Sequence, residues 1–333
     1  MTHGIVPSRR ALVAAVLALA GLAGAPFAAG AQPAWPSKPV RLIIPFPPGG
    51  VTDLVGRLLA EKLSTKWGHP VVVENRAGAS GMIGADFVAK SEPDGYTLML
   101  SSTAEVAINQ SLYDKMSYSP EKDLAPITLA ATTPVVLVTS PALGVHSMED
   151  LRKLGEQKPG TLNYASAGSG GVQHMAGALL ETKLKIGLIH VPYRGGSPAL
   201  VDLLAGHVDT AFASAPLVVQ YVQDKKLVAL AVAADKRMAS LPDVPTANEA
   251  LSTTGFEISN WYGVYAPTGT PEAVLDKINT DMVAALKTPE LRQKIAEAGA
   301  DPVGNSREEF TRFWHGEIQK YAEIIRQSGA RVD

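Results

Sequence analysis

Length, composition and the alternation of apolar runs predict an α/β fold built as two lobes. The chain has 333 residues, more than one hydrophobic core usually holds, so two domains are the natural expectation. It is 46% apolar and only 19% charged, which fits a packed interior and excludes a mainly disordered chain. Short apolar runs alternate with segments of helical periodicity, the rhythm of a parallel sheet covered by helices, and the rhythm starts again near mid-chain.

The N-terminus comes first. Residues 1–31 contain no acid. Arg9-Arg10 precede a small, apolar stretch from Ala11 to Ala25, and Ala29-Gly30-Ala31 has the small-x-small form that signal peptidase reads. The stretch is too short to span a bilayer and is followed by Pro26. Residues 1–31 therefore read as a secretory signal cleaved after Ala31, which places the protein in the periplasm. Ser8-Arg9-Arg10 leaves general secretory and twin-arginine export both open.

Val40–Ile44 is a short strand ended by Pro45. Apolar residues at helical spacing predict a helix from Asp53 to Trp67, stopped by Gly68. Val71–Val73 is a strand, a helix runs from about Gly84 through Lys90, and Tyr96–Leu100 is a strand after the turn Pro93-Asp94-Gly95. In the second half, strands are predicted at Val135–Val138, Leu162–Ala165, Leu188–Pro192, Val208–Ala213 and Leu227–Ala233. Helices are predicted at Met148–Glu156, Val172–Leu184 and Pro198–Ala205. Trp261–Ala266 is a strand, and helices follow near Glu272–Leu286, Pro289–Ala298 and Arg307–Ser328.

Several function classes drop out. Thirty basic and 32 acidic residues leave a net charge of −2 with no basic stripe, so nucleic acid is not an expected partner. The absence of cysteine removes disulfides, thiolate chemistry and lipoprotein anchoring. The seven histidines are scattered without metal-ligand spacing, so no metal or cofactor is expected. There is no phosphate-loop lysine and no dinucleotide fingerprint. Gly168-Ser169-Gly170-Gly171 follows a strand and precedes a helix as a nucleophile elbow does, but Ala167 stands where that motif needs glycine.

What remains is a recurrence. Strands end at turns of small residues that open helices: Pro45-Phe46-Pro47-Pro48-Gly49-Gly50, Ala77-Gly78-Ala79-Ser80-Gly81, Ser101-Ser102-Thr103-Ala104, Ala167-Gly168-Ser169-Gly170-Gly171 and Arg194-Gly195-Gly196-Ser197. The first N–H groups of a helix lack internal partners and carry part of its dipole, and glycine lets an oxyanion approach them. In open α/β sheets such turns gather at the carboxyl ends of the strands. The pattern points to a cleft for an anion or polar small molecule.

Single residues stay open between two readings. Asp53 is a first-turn acid pairing with Arg57 four residues on, or a ligand contact. His174 braces the glycine turn or touches ligand. Tyr193 and Arg194 end a strand beside Gly195-Gly196, where the arginine either clamps a carboxylate or forms a surface ion pair. Asp209 accepts from a ligand or caps a turn. Phe46 walls the cleft or enters the core. Trp261-Tyr262 is placed where the chain returns between lobes.

The motif Pro45-Phe46-Pro47-Pro48-Gly49-Gly50 with Asp53 and Arg57 resembles the first motif of the Bug-type (TctC-type) extracytoplasmic receptors of tripartite tricarboxylate transporters. Glu74–Ala79, Pro93–Leu98, Asp123–Ile127, His190–Gly195 and Asp243–Thr246 continue the resemblance in order. The family usually has threonine where this chain has Gly171. The resemblance implies a two-lobed, flytrap-like periplasmic-binding-protein fold, with lobe 1 at 32–135 plus 256–333, lobe 2 at 136–255, and a hinge at the two crossings. It implies ligand contacts from Phe46, Gly50 and Ser102 in the first lobe and from Gly168, Ser169, Gly170 and Asp209 in the second. The implied protein is a non-catalytic receptor that delivers a small carboxylate to membrane transporter subunits. A periplasmic ligand sensor and a serine hydrolase built on Ser169 are the rival expectations.

Overall fold

The computed structural model describes residues 35–331, so the leader reading of residues 1–31 lies outside the described residues. The chain divides after Ser37, and the sheet, its helices and the cleft belong to the unit Lys38–Asp333.

The elements follow from local pattern and its breaks. Strand β1 (Val40–Ile44) leads through the proline-glycine turn into helix α1 (Val51–Trp67), which Gly68 ends in the left-handed conformation glycine tolerates. Strand β2 (Val71–Asn75), helix α2 (Met82–Ala89) and strand β3 (Thr97–Ser101) complete a parallel trio in the order β2-β1-β3. A π-helical turn, Ala104–Ile108, follows β3.

Strand β4 (Leu124–Thr139) is far longer than the sequence indicates. Its first half carries Pro126 and Pro134, which look like strand breakers. Pro126 borders a register shift, and Pro134 is the last residue paired with β9 (Ser259–Pro267), positions where a missing N–H costs the ladder little. From Val135 onward β4 pairs instead with β7 (Thr210–Ser214), and from Val136 with β8 (Val228–Val232) on its other side. Strands β5 (Asn163–Ser166) and β6 (Ile189–Pro192) extend this second half parallel to β7.

Helices α3 (Met148–Gln157), α4 (Val172–Leu184), α5 (Gly196–Ala205) and α6 (Ala215–Gln223) cover the second lobe. The chain returns near Ile258, whose N–H still bonds Ala233 beside β8, while Ser259 pairs with Pro134 in the other lobe. Helices α7 (Glu272–Leu286) and α8 (Pro289–Glu297), the short β10 (Asp301–Pro302) and α9 (Arg307–Ser328) finish the first lobe.

Helix α9 lies against both halves. Its Trp314 Nε1 donates to the Val106 carbonyl at 2.8 Å in the first lobe, and the helix packs along α4 of the second. One apolar cluster therefore runs from Met99 and Val106 through Trp314 and Tyr321 to Met175 and Leu179.

Candidate functional site

Register fixes where the strand tips point. Ser101 at the end of β3 pairs with Gly263, and Thr103 beyond it accepts the Trp261 N–H at 3.0 Å, toward the start of β9, where Ser259 sits opposite Pro134. Because β1 and β2 run parallel to β3, their carboxyl ends point the same way. On the other side Ser214, the end of β7, pairs with Val135, and β5 and β6 run parallel to β7. The carboxyl ends of both lobes' parallel strands thus converge on the seam where β4 changes partner.

In the first lobe the turn after β1 hangs on Asp53, which is 3% exposed. Its Oδ2 accepts the Gly49 N–H at 3.0 Å and Arg57 Nε at 2.9 Å, and its Oδ1 accepts Asn75 Nδ2 at 2.8 Å. The same Asn75 amide also donates to the Phe46 carbonyl at 3.0 Å. Burial would raise the Asp53 carboxyl, but the Arg57 guanidinium, the Asn75 amide and the Gly49 N–H outweigh it and hold it down at about 2. Gly49 has φ +92°, and a Cβ at Gly49 or Gly50 would meet nothing, so these two residues border open space. The next turn is strained: Gly78, Ala79, Ser80 and Gly81 all have positive φ, which costs alanine and serine roughly 1–2 kcal/mol each. Backbone outliers of this kind concentrate at functional sites.

In the second lobe the glycine turn rests on imidazoles. Gly170 N–H donates to His174 Nδ1 at 3.2 Å. The His174 and His190 rings stack at 3.9 Å with 5° between their planes, and Tyr164 stacks on His190. His190 Nε2 lies 2.6 Å from Ser166 Oγ, which also accepts the Gly168 N–H at 3.2 Å. Burial lowers both imidazoles, and the neighbouring His174 helps push His190 down to about 4, so both are neutral near pH 7.

Helix starts at the seam differ from several elsewhere. Gly50, Gly171 and Gly195 are the N-caps of α1, α4 and α5 and give no side-chain hydrogen bond to the first turn. Ser147, Thr246 and Ser306 cap their own helices with a side-chain oxygen. The uncapped glycine starts leave N–H donors for a guest. At the floor, Gln173 Nε2 and Asn260 Nδ2 approach Ser214 Oγ, each at 3.5 Å, one from each lobe. A cavity of about 80 Å³ lies beneath, lined by residues that include Ala167, Gln173, Gly196, Ser214 and Leu217.

Phe46, Gly50, Ser102, Gly168, Ser169 and Gly170 all follow strand ends on this seam. Asp53 and His174 stand behind the turns, each already spent on a turn N–H. Tyr193 is turned away, its hydroxyl donating to Asp202 on α5 at 2.6 Å; burial, then that carboxylate, raises the phenol to about 12. Arg194 is exposed and makes no ion pair among the described residues. Among the described residues Ser169 has no hydrogen bond to a histidine; His174 and His190 hold Gly170 and Ser166 instead.

Asp209, expected at the cleft, lies at the opposite end of its strand. It precedes β7 beside Thr210, which pairs with Thr139 at the end of β4 far from the seam. There its carboxylate accepts the Asn163 N–H and its own N–H donates to Asn163 Oδ1, both at 2.9 Å. It ties the amino ends of β5 and β7 together and cannot serve a guest at their carboxyl ends. Sequence reasoning also passed over Asn75, Glu105, Gln173, Ser214 and Asn260. Only Asn75 had a signal, its place two residues past the valine run Val71–Val73 and before a small-residue turn.

Two α/β halves with donor-rich strand tips across one seam define a two-lobed solute-binding protein. Residues 55–330 match the family described as tripartite tricarboxylate transporter family receptor, and the chain belongs to that family. It is 37% identical to protein BugT of Bordetella pertussis over 97% of this chain and 98% of the relative. It is 38% identical to a UPF0065 protein from the tcbD-tcbE intergenic region of Pseudomonas sp. strain P51, covering 88% and 87% of the two chains. Among solved structures it resembles an R. palustris protein with adipate (TM-score 0.79, 34% identity, 90% of this chain and 100% of that one). It also resembles MatC from Rhodopseudomonas palustris with bound malate (TM-score 0.75, 32% identity, 87% and 100%).

Proposed function

We propose that this chain is a periplasmic receptor that captures a small carboxylate between its lobes and presents it to the membrane subunits of a tripartite tricarboxylate-type transporter. The observation that carries this reading is the convergence of uncapped glycine helix starts from both halves on one seam. Backbone donors and hydroxyls satisfy a carboxylate there without a buried lysine, and the relatives solved with adipate and malate fit the same chemistry.

The proposed contacts are Phe46, Gly50 and Ser102 from the first lobe and Gly168, Ser169 and Gly170 from the second, with Arg194 at the rim. Asp53, His174 and Tyr193 act by holding the turns. The lobes are proposed as 32–135 with 256–333, and 136–255, supported by the exchange of strand partners after Pro134 and before Ser259. Export rests on the leader-like residues 1–31, with cleavage after Ala31. The role is capture without turnover, with neither cofactor nor nucleic acid involved. No helix among the described residues is long and apolar enough to cross a membrane.

A thermal-shift panel of mono-, di- and tricarboxylates against their amides tests the reading, since any ligand that prefers the folded state raises Tm. Carboxylates, adipate and malate among them, are expected to raise Tm while amides do not. Equal shifts from amides, or none from any carboxylate, would overturn it.

A further inference from the structure

Directly behind Ser102 sits Glu105, fully buried in the π-helical turn that follows β3. Its Oε1 accepts the Ser102 N–H at 2.5 Å and its Oε2 accepts Ser102 Oγ at 2.8 Å. The spacing Ser-x-x-Glu is that of a capping box, in which a glutamate reaches back to the N-cap N–H. Two complete capping boxes among the described residues show the ordinary behaviour. Glu249 serves Thr246 and Glu309 serves Ser306 on the surface, and backbone hydrogen bonds hold both carboxyls below the usual range.

Glu105 has the same local bonds in the opposite environment. Burial outweighs them and pushes its carboxyl up to about 8. No cation compensates it among the described residues. The titratable side chains set against it are Tyr118, whose hydroxyl donates to the Glu105 carbonyl at 2.6 Å, and Tyr265 on β9, and both are phenols that burial keeps protonated. Gly81 closes the remaining side, where a Cβ would lie 3.1 Å from the carboxyl carbon, and α9 presents Trp314 to this turn.

We infer that Glu105 is a positioning residue whose proton decides whether Ser102 offers the cleft a hydrogen-bond donor or an acceptor. An ionised Glu105 accepts Ser102 Oγ–H, so the serine oxygen turns only lone pairs toward the cleft. A protonated Glu105 donates to Ser102 Oγ instead, and the serine proton is released toward the cleft. A carboxylate guest needs a donor, so capture favours the protonated form and takes up the proton that the ionised form lacks. A neutral hydrogen-bonding guest gains no such preference. The inference rests on the receptor reading for its consequence, while the Glu105–Ser102 coupling belongs to the empty protein.

Glu105→Gln imitates the protonated side chain: the amide oxygen accepts the Ser102 N–H and the amide nitrogen donates to Ser102 Oγ at every pH. The test is a titration of protein carrying ¹³C-labelled glutamate and ¹⁵N amides from about pH 5 to about 10, with Glu105→Gln as the assignment control. One carboxyl signal is expected to titrate several pH units above the other glutamates. The Ser102 amide shift should move with the same midpoint and stay flat in Glu105→Gln. Titrating in adipate or malate should raise that midpoint. Their affinities should fall on the order of tenfold across it in the native protein and hold at the low-pH value in the variant. An ordinary glutamate midpoint, a Ser102 amide that ignores it, or a Glu105→Gln variant that keeps the pH dependence would overturn the inference. If neither dicarboxylate moves any cleft resonance at any pH, it is the receptor reading that suffers for those anions, and the empty-protein titration still decides the coupling.

Discussion

The turn after β1 hangs from an ionised carboxylate, whereas the turn after β5 rests on two neutral, stacked imidazoles. Asp53 accepts the Gly49 N–H in the first lobe, and His174 accepts the Gly170 N–H in the second. Each brace is an acceptor fixed behind a glycine turn, so the turn's other donors remain free to face the seam. On the proposed reading, the acids and bases that hold the tips are kept off the guest, which would meet backbone and small hydroxyls. The two braces also fail under different conditions, and that separates them experimentally.

The largest effect is expected from Asp53→Asn. The new amide sets its NH2 either against both the Gly49 N–H and Arg57 Nε or against Asn75 Nδ2, and leaves a nearly buried site with an unmatched group, at a cost of about 2–3 kcal/mol in denaturant unfolding. Arg57→Ala should cost less, about 0.5–1 kcal/mol, because the arginine is half exposed and water replaces it. If the two variants lose equal stability, the carboxylate brace is no more than a surface pair.

Acid should break the second lobe first. His190 has a folded value of about 4 against an ordinary 6.5, so its stabilising neutral form is fully present above 6.5 and is lost as pH falls toward 4. Asp53 goes from an ordinary 3.8 to about 2, so its contribution is fully present above 3.8 and is lost as pH falls from there toward 2. Amide exchange corrected for intrinsic rates is therefore expected to show Gly168, whose N–H is accepted by the Ser166 Oγ that His190 holds, losing protection between pH 6.5 and 4 while Gly49 keeps it. Simultaneous loss at both glycines would mean that the two turns share one support.

The smallest effect sharpens the comparison at Gly171. Its φ of −83° suits any residue, and a Cβ there would make ordinary contacts of 3.5 Å with Gln173 and Gly168. Gly171→Thr should add a side-chain cap to α4 and raise stability by a few tenths of a kcal/mol. No gain would show that the first-turn donors of α4 are already satisfied, against the uncapped-start argument.

Much of this architecture was readable from residue pattern alone. The helices over Met148–Gln157, Val172–Leu184, Glu272–Leu286 and Arg307–Ser328 fall where apolar spacing puts them. The glycine turns mark the strand ends because glycine alone relieves the positive φ found at Gly49, Gly168 and Gly170. Pairing was not readable. The first half of β4 hid behind two prolines that only a register shift and a change of sheet make acceptable. Helix α6 hid behind Pro216 in its first turn, a position proline tolerates. Asp209 was misplaced because its partner Asn163 lies 46 residues away and only the β5–β7 register brings them together. Glu105 reads in sequence as one more helix acid, since burial is set by Tyr118 and Tyr265 from distant segments.

The C-terminal helix has a mechanical consequence. Two strand crossings alone would let the halves swing freely, but α9 is anchored to the first by the Trp314–Val106 bond and to the second by its packing on α4. With that third tie, the halves can part only as far as α4 slides along α9. A guest captured as proposed would meet a mouth whose aperture is already limited, and less disorder would be surrendered when it shuts.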